Sequence, residues 1–125
     1  MKTLLRILAL VAVLLTSGMF AATTAQADTL TFKVKSDYDY EVRIAFYSKA
    51  RNVNWPGGGK SWLIDDYDVT DYKLSCNRNE YICYGAWAVD DDLHWGVGEH
   101  SEFGCKNCCF TCKGNTTTRL INLGN

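Results

Sequence analysis

Basic runs are missing from this chain. Its 13 lysines and arginines are dispersed among 14 acidic residues, for a formal charge of −1. Nucleic-acid binders depend on a basic surface, because phosphate contacts dominate their affinity. Nucleic acid and anionic membrane surfaces are therefore not expected partners. Histidine occurs twice, at His94 and His100, and proline once, at Pro56. No stretch after the first 27 residues reads as a membrane span, and no amphipathic helix of useful length is present. There is no internal repeat and no low-complexity segment.

The opening "MKTLLRILALVAVLLTSGMFAATTAQA" has a basic start (Lys2, Arg6), an apolar run from Ile7 to Leu15 and an A-x-A pattern at Ala25–Ala27. That is a secretory signal peptide. The apolar run is shorter than the roughly 20 residues that span a bilayer, and no cysteine stands beside the cleavage point to carry a lipid. Residues 1–27 are thus expected to be removed on export, leaving 28–125 as one secreted or periplasmic domain. All 14 acids but only 11 of the 13 basic residues lie beyond residue 27, so the formal charge falls to −3. A domain of this size buries roughly 60–70% of its unfolded surface, a modest core that exported proteins often supplement with disulfides.

The rest of the chain alternates with period two. "TLTFKVKS" sets Leu30, Phe32 and Val34 on one face, and "YEVRIAFYS" sets Tyr40, Val42, Ile44 and Phe46 inward. Such alternation marks half-buried antiparallel strands. The "SDYD" between them supplies turn chemistry and predicts a hairpin. "RNVNWPGGGKSW" breaks the pattern and reads as a loop from Lys49 to Gly59. Further strands are expected at "KSWLI", "YKLSC", "YICYGAWAV", "LHWGVG" and "TTTRLINL". Of these, "YICYGAWAV" is apolar on both faces and reads as a central strand, with Trp87 in the core. The spacing predicts an all-β fold, a small disulfide-stabilised antiparallel β-sandwich, with a small β-barrel as the alternative.

Six cysteines, an even number, are available: Cys76, Cys83, Cys105, Cys108, Cys109 and Cys112. Adjacent α-carbons lie about 3.8 Å apart, closer than the span a disulfide ordinarily wants, so Cys108–Cys109 is set aside. Cys105 and Cys108 can close locally, because Lys106-Asn107 can turn. Phe110-Thr111 are strand formers, so Cys109 and Cys112 are expected to reach Cys76 and Cys83, in an order left open. If "NRNE" closes a hairpin, Cys76 and Cys83 become diagonal neighbours at about 7–8 Å, slightly too far to bond each other. The rival use of the Cys105–Cys112 stretch is a zinc or copper(I) thiolate site. Zinc pairs usually sit on separate knuckles, and an exported compartment favours disulfides. A redox-active C-x-x-C is expected beside a βαβ pattern, which is lacking.

Other candidate sites are few. "GGGKS" resembles the end of a phosphate-binding loop, but Asn54 stands where its first glycine belongs and a strand follows. Asp65, Asp66, Asp68 and Asp71, then Asp90, Asp91 and Asp92, could be calcium ligands. They lack the twelve-residue pattern and read more simply as solvated turns. The four tryptophans could form a stacking platform for sugar rings. Trp55, Lys60, Trp62 and Trp95 are the candidate ligand-binding residues, since binding residues concentrate on loops over a rigid scaffold. Asn115 in "NTT" would accept a glycan only in a eukaryotic pathway. Catalysis has few players: two histidines, Ser101 beside one of them, and turn acids.

These features describe a small exported non-catalytic binding module, its ligand surface the Asn52–Lys60 loop and its partner an extracytoplasmic protein or carbohydrate. A metal-binding protein using the cysteine stretch is the first alternative. A small secreted hydrolase using His94, His100 and the acids is the second. No cofactor is expected.

Overall fold

The computed structural model describes residues 28–124, together with the isolated Gly18. The expected signal peptide otherwise lies outside the described residues. Nine strands follow in order: β1 (Asp28–Ser36), β2 (Val42–Ser48), β3 (Asn54–Trp55), β4 (Trp62–Ile64), β5 (Thr70–Cys76), β6 (Tyr81–Ala88), β7 (His94–Gly96), β8 (Cys109–Thr111) and β9 (Asn115–Leu123). The single helical piece among the described residues is a 3-10 turn at Glu99–Ser101. None of their helices is long and apolar enough to cross a membrane.

The strands form a β-sandwich of two open sheets; they do not close into a barrel. The smaller sheet has the order β5-β1-β9. In the larger, β2 and β6 are central; β3 and β4 share the outer edge of β2, and β7 and β8 share that of β6. Every pairing is antiparallel except β1 with β9, which run parallel, with a register shift between Thr31 and Lys33.

The period-two pattern places the core as expected for Leu30, Phe32, Val34, Val42, Ile44 and Phe46, all buried. Their apolar faces meet across the two sheets, with the Phe32 and Phe46 rings 4.4 Å apart. Tyr72 and Trp62 extend this contact at the β5 and β4 edges. Each such buried side chain contributes about 1.5–3 kcal/mol by leaving water.

Several expectations are corrected. The "SDYD" segment does not close a hairpin, because β1 and β2 belong to different sheets. The two strands present apolar faces to each other, so packing them face to face buries both. "NRNE" likewise carries the chain from β5 in one sheet to β6 in the other. The Lys49–Gly59 loop contains the short strand β3, paired with Phe46 and Tyr47. Tyr40 lies before β2 and is exposed rather than inward. Trp87 is half-buried and outside the core, since it pairs with Arg43 and His94, whose strand positions face outward.

Gly85 shows why β6 reads as apolar on both faces. A Cβ there would stand 2.0 Å from the Gly98 carbonyl oxygen and 2.9 Å from the Tyr47 ring. The Val97–Phe103 segment therefore lies directly on the outer face of β6, and only glycine admits that approach. Gly98 itself has a φ of +68°, a conformation suited to glycine.

The disulfides are Cys76–Cys112, Cys83–Cys109 and Cys105–Cys108. This is the expected framework, with its open order now fixed. Cys83 and Cys109 face each other on β6 and β8. Cys76 ends β5, and Cys112 directly follows β8, so their bond ties the two sheets together.

Candidate functional site

Strand register gathers three separate loops at one end of the sandwich. Val42, the first residue of β2, is opposite Ile64, the last of β4, and Ala88, the last of β6. The segments 37–41, 65–69 and 89–92 consequently meet. They read "DYDYE", "DDYDV" and "VDDD", and hold no lysine or arginine.

Between them lies an open cleft of about 540 Å³, within the size range of small-ligand sites. Three tyrosines, Tyr38, Tyr40 and Tyr67, give it aromatic walls, and five carboxylates, Asp39, Glu41, Asp65, Asp66 and Asp90, give it charge. The Tyr67 hydroxyl donates to Asp39 Oδ1 at 3.1 Å and the Tyr38 hydroxyl to Asp90 Oδ1 at 3.3 Å. Both hydroxyls are harder to ionise than an ordinary tyrosine. For Tyr67 the main cause is the Asp39 hydrogen bond; for Tyr38 it is partial desolvation, then the Asp90 charge. They stay neutral donors at physiological pH, and the cleft keeps a net negative charge.

No known protein family, curated protein or solved structure matches the chain.

The cleft continues onto the outer face of the larger sheet. Val89 lines both it and a second depression with Arg43, Ser61, Trp87 and Glu99. Trp87 and Glu99 in turn line a third, beside Asp91, Asp92, Glu102 and Phe103. There the His94 and Phe103 rings stack at 3.8 Å.

The tryptophans named from the sequence do not assemble into one platform. Trp55 and Trp62 sit opposite Phe46 and Ile44 at the β2 edge, and Trp95 sits opposite Ala86 at the β6 edge. All three are half-buried against the core. Trp55 is also approached by the Arg51 guanidinium, 5.8 Å from its ring. Trp95 donates to the Gly124 carbonyl at 2.7 Å. Lys60 is exposed on the tight turn closed by its amide and the Gly57 carbonyl. A separate cavity of about 500 Å³ borders the same loop, lined by Tyr47, Ser48, Asn52, Asn54 and Gly59 among others.

All six cysteines are bonded, so none offers a thiolate to a metal or a substrate. Among the described residues no group of three His, Cys, Asp or Glu side chains is placed to hold a metal ion. His100 Nε2 lies 3.4 Å from Glu99 Oε1, and neither histidine shares a hydrogen bond with a serine hydroxyl among the described residues.

Sequence reasoning singled out the acidic segments as turns, calcium ligands or acids of a hydrolase and missed their convergence with Tyr38, Tyr40 and Tyr67. One signal was available: each tyrosine stands between or beside acids, in segments free of cations.

Proposed function

We propose that the chain is an exported, non-catalytic binding module whose ligand surface is the tyrosine-lined acidic cleft. Three disulfides suit an oxidising compartment and hold a small scaffold rigid beneath exposed loops. The observation that carries the reading is the convergence of three cation-free loops on one aromatic cleft. Such a cleft selects positive charge: carboxylates attract the cation, and tyrosine faces stabilise ammonium or guanidinium groups by about 0.5–2 kcal/mol each. An amide-resolved NMR titration with spermine as probe tests this. Shifts are expected at Tyr38–Glu41 and Asp65–Tyr67, and they should weaken as sodium chloride is raised. Spermine that moves no resonance in these segments would reject the reading.

A second reading rests on the cavity beside the Asn52–Lys60 loop. Its serine, asparagine and tyrosine side chains suit a neutral carbohydrate. Maltohexaose shifting Asn52–Lys60, with no response to spermine, would favour it.

A further inference from the structure

We infer that the occupant of the cleft is an extended polypeptide segment bearing several lysines or arginines, laid along a track from the tyrosine cleft over the outer face of the larger sheet. This rests on the cation-binding reading of the cleft. Two observations extend that reading.

The first is how the carboxylates are neutralised. Five of the chain's 14 acids lie off the track. Four of these five pair with a lysine or arginine: Asp28 with Arg78, Asp37 with Lys35, Asp71 with Lys33 and Glu80 with Arg51. The other nine are the five of the cleft together with Asp91, Asp92, Glu99 and Glu102. Among the described residues none of the nine has a lysine or arginine within ion-pair distance; Glu99 alone has a partner, His100. Asp68 apart, the fold pairs its acids with lysine or arginine elsewhere and leaves them without such partners along one continuous path. Among the described residues Arg43 is the only lysine or arginine lining that path.

The second is the shape and chemistry of the path. Three depressions of about 540, 380 and 240 Å³ follow one another through shared walls at Val89 and Trp87. Leu63, Arg43, Trp87 and His94 lie side by side across four neighbouring strands, and Phe103 stacks on His94 beyond them. Exposed Leu63, Val89 and Phe103 are thus interleaved with carboxylates. A compact cation fills one depression. A chain that mixes cationic and apolar side chains can occupy all three, with Trp87 under a cationic group. Nucleic acid and anionic lipid are repelled by the same charge.

The test compares acetylated, amidated dilysine and octalysine by amide-resolved NMR on the full exported chain, using the wild type and the exposed double variant Glu99→Gln/Glu102→Gln. Octalysine should shift Trp87, His94 and Phe103 as well as Tyr38–Glu41. The double variant should weaken octalysine about fivefold, as expected for two exposed charge pairs, and leave dilysine unchanged. Octalysine shifts confined to the tyrosine cleft, with equal affinity for both proteins, would overturn the track while the cleft reading stands. Failure of octalysine, dilysine and spermine alike to shift the cleft would remove both.

Discussion

The carboxylate of Glu80 is almost fully buried, its side chain 2% exposed, and four donors surround it. Arg51 gives two, through Nε and through Nη2 at 2.8 Å; the Ser48 hydroxyl and the Asn77 amide give the others, at 2.7 and 3.1 Å. The arrangement clamps the turn after β2 to the turn before β6. The Arg51 hydrogen bonds, chiefly, pull the Glu80 pKa from 4.5 to about 2, against the opposing effect of burial. A carboxyl depressed on folding adds stability that is complete above its unfolded pKa and disappears as pH falls through the folded one. Glu80→Gln should therefore cost about 2–3 kcal/mol at pH 7, allowing for the partial exposure of Arg51. The gap from wild type should narrow between pH 4.5 and 2. Urea unfolding across that range measures both, and a constant gap would show that Glu80 is not the titrating group. Nothing in "NRNEY" disclosed this clamp, because Glu80 and Arg51 are brought together by pairing between β2 and β6 and not by any local spacing.

At the scale of elements, the three disulfides divide by what they join. Cys76–Cys112 spans 36 residues and links the two sheets, Cys83–Cys109 spans 26 and secures β8, and Cys105–Cys108 spans three within one loop. The chain-entropy relation gives about 3–4 kcal/mol for each long closure and under about 2 kcal/mol for the short one. The double variant Cys76→Ala/Cys112→Ala should accordingly lose at least about 1.5 kcal/mol more than Cys105→Ala/Cys108→Ala in chemical denaturation. Equal losses would mean that the inter-sheet bond does not constrain the unfolded chain as its span implies. Most strands, and the partners of every cysteine up to one choice, could be read from alternation and turn chemistry. Strand neighbours could not. Alternation tells which side chains share a face, but a short polar segment such as "SDYD" or "NRNE" can turn within a sheet or cross to the opposite one. The choice depends on β5 and β9 flanking β1, pairings made far along the chain. The candidate site was hidden for the same reason. Its three loops are unremarkable turns until the registers of β2, β4 and β6 bring them together.

Across the whole molecule, the acids without lysine or arginine partners gather at the cleft and along the outer face of the larger sheet. The opposite end carries Lys49, Arg51, Arg78 and Lys113, with Glu80 and Asp28 already paired there. Nine carboxylates along one path without a lysine or arginine partner repel one another, and this opposes folding at low ionic strength. Raising sodium chloride from about 10 to 300 mM shortens the Debye length from about 30 Å to below 8 Å. The melting temperature at pH 7 should then rise by about 4 °C, as expected for roughly 1 kcal/mol in a domain of this size; a fall would show that attractive pairs outweigh the repulsion. The parallel pairing of β1 with β9 bears on the order of events in time. Thr29 lies beside Asn115 and Ser36 beside Leu123, so the smaller sheet lacks one of its three strands until β9 has been made. A chain made from its N-terminus must keep Leu30, Phe32 and Val34 without their full cover until β9 is in place. Contacts this distant in sequence also form slowly, so a newly made chain leaves this apolar face open to any holding factor until its last strand docks.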